Sequence, residues 1–77
     1  MGQYAKEAKN HADMIRYYYE HADSSAYSQA EPYYLQLSDL IIRADKSKND
    51  QNDIVVIQTL RDSSDRLMQE MKDRADN

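Results

Sequence analysis

The stretch Pro32-Tyr33-Tyr34-Leu35-Gln36-Leu37-Ser38-Asp39-Leu40-Ile41-Ile42-Arg43-Ala44-Asp45-Lys46 decides how this chain folds. Its apolar residues recur at intervals of three and four, the period of a helix and not the alternation of a strand. At ~100° per residue Tyr33, Leu37, Leu40, Ile41 and Ala44 share one face, while Leu35 and Ile42 lie together on the other side. Pro32 suits the first turn, where a missing N–H costs nothing, and Lys46 suits a helix C-terminus. The reading is a helix over about 32–46 that is apolar on two faces and so asks for neighbours on both.

Upstream, Tyr4, Ala8, His11, Ile15, Tyr18 and Ala22 follow a helical spacing, with Lys6, Lys9, Asp13, Arg16 and Glu20 on the opposite side. That stripe is narrow and small, which lets a neighbouring backbone approach closely. Helix 1 is expected over about 3–24, with Ser24 and Ser25 suggesting an exit, and possible continuation to 30 through Ala26, Gln29 and Ala30. Pro32 is expected to break the helix, because its ring clashes with a preceding helical turn and biases Glu31 away from helix. Downstream, Lys48-Asn49-Asp50-Gln51-Asn52-Asp53 reads as a polar loop that supplies a cap to the next helix. That third helix, over about 51–74, buries Ile54, Ile57, Leu60, Ser64, Leu67, Met68 and Met71. Ile54-Val55-Val56-Ile57 has strand propensity, but no second strand exists to pair with it.

With 77 residues, one glycine and one proline, the chain is read as a single all-α domain over 1–77: a three-helix bundle, or a helical hairpin with an additional helix. Folded, it would expose about 4,900 Å² against about 13,000 Å² unfolded. Apolar burial then contributes on the order of 115 kcal/mol, and ordering the chain costs about the same. Small domains in that position add disulfides, a metal or association, and the chain has no cysteine. Self-association through Leu35 and Ile42 is the expected supplement, and four buried side chains in a symmetric dimer would be comparable to the shortfall.

Ten basic against fourteen acidic residues give a net charge of −4, which repels a phosphate backbone, so direct nucleic-acid binding is not expected. Asp39, Asp45, Asp62, Asp65, Asp73 and Asp76 admit mimicry of a phosphate lattice, but Arg61, Arg66, Lys72 and Arg74 are interspersed among them. No apolar run reaches membrane-spanning length, and Lys6 stands where a myristoylation signal after Gly2 wants Ser or Thr. The expectation is a cytoplasmic protein with no membrane association.

Chemistry-bearing constellations are thin. His11 and His21 sit in similar tetrapeptides, Asn10-His11-Ala12-Asp13 and Glu20-His21-Ala22-Asp23, but ten residues of helix rotate them apart by roughly 80°. Glu7 and His11 lie four apart, yet a stable metal site needs three or four ligands. No nucleophile has a base at a telling spacing, and no Gly-rich loop is present to cradle a phosphate. The chain is therefore read as no enzyme, with no cofactor and no metal.

Tyrosine is the strongest signal: seven Tyr with no Phe or Trp, clustered as Tyr17-Tyr18-Tyr19 and Tyr33-Tyr34. Exposed Tyr is a rigid contact residue enriched at binding hot spots, although Tyr also fills shallow cores with its hydroxyl reaching water. Tyr17, Tyr19, Tyr33 and Tyr34 are the candidate partner-binding residues. The expected function is a protein–protein interaction module, a regulator or inhibitor of a macromolecular partner of the kind a phage or mobile element encodes. An assembly factor or secretion-type chaperone is the alternative, and a nucleotide-sequestering binder is the third.

Overall fold

A computed structural model describes residues 2–21, 23–48 and 50–76. Three helices make up the fold: α1 (Gln3–His21), α2 (Ala26–Lys46) and α3 (Gln51–Asp76), with no strand among the described residues. Each helix packs against both others, so the chain is a closed three-helix bundle and not a hairpin with an appendage. The bundle measures 44 × 16 × 16 Å and exposes 5135 Å², close to the area expected from mass.

The core is built from small residues. Ala5, Ala8, Ala26, Ala30 and Ala44 are buried beside Ile15, Leu37, Leu40, Ile57, Met68 and Met71. Alanine at the crossing points lets the helix backbones approach, and the longer side chains fill the spaces between them. Tyr4, Tyr18, Tyr19, Tyr27, Tyr33, Tyr34, Ile41, Ile54, Leu60 and Leu67 pack half-buried around this core. Ala22, placed in the α1 stripe by its spacing, lies outside the described residues, as does Asn49 of the polar loop.

The sequence reading fails at Pro32. Helix α2 begins at Ala26, not near 32, and carries Pro32 in its interior. Ala26 and Ala30, expected to prolong helix 1, belong to the first turns of α2 and are buried there. Proline removes one helical hydrogen bond and crowds the Ser28 carbonyl. Both Ser28 and Pro32 are exposed, so water can take the freed carbonyl, while burial of Ala26 and Ala30 rewards continuing the helix. The break falls instead at Asp23–Ser25. There the Asp23 carboxylate accepts from the Ser25 backbone N–H at 2.7 Å and from its hydroxyl at 2.5 Å. Those bonds hold the Asp23 carboxyl below its usual range.

The start of α3 fastens both other helices. The Gln51 amide donates to the carbonyls of Asp45 at 2.9 Å and Ser47 at 3.2 Å, where α2 runs out of intrahelical donors. Asp53, read from sequence as part of a capping loop, is buried on the first turn of α3 and caps α1 instead. Its carboxylate accepts from the backbone N–H of Gly2 at 3.2 Å and of Ala5 at 3.1 Å. The Gly2 carbonyl takes the first helical bond, from Lys6, so Ala5 is the third helical residue, whose N–H a capping side chain ordinarily satisfies. Gly2 leaves room for that carboxylate: a Cβ there would crowd the Asp53 carboxylate oxygens, and the side chain would have to shift.

Candidate interaction surfaces

Two surfaces stand out from the ordinary solvated exterior. The first is the outward face of α2. Leu35 is 61% exposed and Ile42 54%, and on the helix they lie opposite the buried row of Leu37, Leu40 and Ala44. Neither α1 nor α3 covers them, so the second apolar face read from the sequence stands free on this chain. Glu31 and Lys46 flank it, both exposed, and at its margin Arg43 pairs with Asp39 at 2.6 Å.

The second is an aromatic strip along α1 and α2. Tyr17, half exposed, meets Tyr18 edge to face at 5.3 Å and the His21 ring at 3.9 Å. Tyr18 leans on Tyr33 at 6.2 Å, and Tyr33 in turn on His11 at 6.1 Å. His21 Nδ1 lies 2.7 Å from the Tyr17 carbonyl, a contact that needs the proton on Nδ1. Partial burial lowers the His11 pKa, against the opposing pull of Glu7 and with help from Arg43.

The four tyrosines singled out from the sequence do not converge. Tyr17 and Tyr33 join one strip through Tyr18. Tyr19 turns to α3, where the Arg74 guanidinium sits 4.5 Å from its ring centre and donates to its carbonyl at 3.1 Å. A hydrogen bond to Glu70 pushes the Tyr19 phenol up. Tyr34 faces α3 on the other side and donates to Asp65, which pushes its phenol up to about 12. With Tyr27, Met68, Gln69 and Lys72 these two residues line a shallow cavity of 170 Å³. Three successive Tyr on a helix step by ~100°, which is why one cluster is divided among different helix pairs.

A larger groove of 420 Å³ runs between α1 and α3, lined by Arg16, Thr59, Asp62, Ser63, Arg66 and Leu67. No tyrosine lines it, so aromatic stacking and paired guanidinium groups occupy different surfaces. Among the described residues no group of three or more His, Cys, Asp or Glu is placed to hold a metal ion, and no helix is long and apolar enough to cross a membrane. Of the acidic residues that could imitate a phosphate lattice, Asp39 is engaged by Arg43, Asp65 by Tyr34 and Asp73 by the Gln69 amide. Comparison with protein families, curated proteins and solved structures finds no match to this chain.

Proposed function

We propose that this protein is a non-enzymatic interaction module that self-associates through Leu35 and Ile42 of α2 and regulates or inhibits a macromolecular partner. The observation that carries the reading is the free apolar face of α2, with Leu35 61% and Ile42 54% exposed on a helix whose other face is filled. Monomeric domains expose single apolar residues as a matter of course. Two on one face, one turn-pair apart on a bundle only 16 Å across, form a patch. The aromatic strip from His11 to His21 supplies the second contact surface, with half-exposed Tyr17 as its anchor. An assembly factor or chaperone would use the same two faces.

Fully burying a Leu or Ile is worth ~1.5 to 3 kcal/mol, and these are about half exposed, so four of them in a symmetric pair contribute about 3 to 7 kcal/mol. That range corresponds to dissociation constants from about several millimolar to about ten micromolar before ordering costs. Sedimentation equilibrium up to several hundred micromolar tests the self-association. A monomer throughout that range overturns it. Affinity capture with the wild type beside Tyr17→Asp tests the partner role: a protein retained by the wild type and lost from the variant, with the fold unchanged, supports the strip as the contact. Equal retention by both removes Tyr17 from that role.

A further inference from the structure

Glu31, Leu35, Ile42 and Lys46 are all exposed and fall within about 60° of one another around α2. Their spacing is four, seven and four residues, the same from either end, and the two apolar positions are flanked by opposite charges. We propose that a second copy of this chain covers the face antiparallel, with Leu35 of each copy on Ile42 of the other and Glu31 of each facing Lys46 of the other. This rests on the self-association reading above and adds its direction and register.

A two-fold axis midway between Ser38 and Asp39 brings both apolar pairs and both charge pairs into register at once. Parallel copies would instead set Glu31 against Glu31 and Lys46 against Lys46, with like charges facing at both ends of the patch. Since each copy carries a net charge of −4, two copies repel in any arrangement that lacks compensating pairs. The antiparallel register supplies two. The outer charges are about 22 Å apart along the helix at 1.5 Å per residue, well inside the 44 Å bundle. At the crossing, Ser38 is small enough for close approach, and Asp39 meets its symmetry mate already engaged by Arg43 at 2.6 Å.

The chain has no cysteine, so cross-linking reads the direction without interference. Glu31→Cys mixed with Lys46→Cys should form a disulfide-linked dimer under mild oxidation, while either variant alone should give only the background of random collision. Glu31→Lys and Lys46→Glu should each weaken the homodimer roughly tenfold or more, and mixing the two should restore association to about the wild-type level, since every facing pair is then opposite in sign. All four positions are exposed, and circular dichroism should show each variant as helical as the wild type. Cross-links in the single-cysteine samples, or homodimers of Glu31→Lys as tight as the wild type, overturn the antiparallel register and leave self-association standing. A wild type that stays monomeric at several hundred micromolar overturns both.

Discussion

Replacing Asp53 by alanine should be among the most damaging single substitutions in this chain, although the residue is a charged one near a helix start. The side chain is only 6% exposed and accepts from Gly2 at 3.2 Å and Ala5 at 3.1 Å. Losing a cap costs about 1 kcal/mol, and a partly buried carboxylate at a helix N-terminus contributes up to ~2 kcal/mol. Leaving the Ala5 N–H buried without a partner costs ~1 to 3 kcal/mol. These effects overlap, which places the total at about 2 to 3 kcal/mol. For a domain of this size the midpoint of thermal unfolding should fall by about 10 to 20 °C, measured by far-UV circular dichroism. Asp53→Asn keeps one acceptor and should lose about half as much. Gly2→Ala, whose new Cβ would crowd the Asp53 carboxylate, should displace the same cap, so the double variant should be little worse than Asp53→Ala alone. An Asp53→Ala midpoint within about 3 °C of wild type, or full additivity with Gly2→Ala, would refute the long-range cap.

Pro32→Ala should stabilise the protein by about 1 to 3 kcal/mol, less up to ~1 kcal/mol from the freer unfolded chain, read as a higher unfolding midpoint; no rise would mean that α2 accommodates the ring without strain. Changing Leu35 and Ile42 together to Asp should abolish association while the monomer stays helical, its midpoint lowered by about 5 to 20 °C, because both lie outside the core yet remain close to half buried. A large loss of helicity in the double variant would instead mean that the interface decides whether the chain folds. The Tyr34 phenol is raised above its unfolded value near 10 to about 12 by its bond to Asp65. Its stabilising contribution is therefore full below pH ~10 and lost as pH rises through about 12. Asp65→Asn should lower that ionisation in the phenolate absorbance titration, and an unchanged curve would exclude the bond.

Periodicity places most of the core correctly, because a buried stripe leaves its period in the chain: Ile15, Leu37, Leu40, Ile57, Met68 and Met71 are all buried. The second apolar face of α2 is equally legible, but the pattern only asks for a neighbour there; that α1 and α3 leave Leu35 and Ile42 exposed is set by the packing. Pro32 misleads because a local steric rule leaves out the packing that overrides it. An exposed proline costs one helical bond that water can replace, whereas ending α2 there would strip Ala26 and Ala30 from the core. Asp53 is invisible for a different reason. Its partners are 48 and 51 residues away, and nothing in the local pattern distinguishes a carboxylate that caps its own helix from one that caps another. The tyrosines fall between: their exposure follows from their clustering, but which helix each one meets depends on crossing geometry that spacing does not encode.

The double fastening at the start of α3 also carries an expectation about the order of folding. Helices α2 and α3 are joined by only the residues between Lys46 and Gln51, so their hairpin closes a short loop, and Gln51 can seal the end of α2 at once. The first turn of α1 has no such local closure; its cap from Asp53 spans 48 and 51 residues, which makes it a contact expected to form late, once that hairpin is in place. Contacts formed after the rate-limiting barrier alter the rate of unfolding and leave the rate of folding nearly unchanged. Asp53→Ala should accordingly hasten escape from the native state while refolding proceeds almost as in the wild type, which would make the amino-terminal turn of α1 the latch that sets how long this small bundle stays shut.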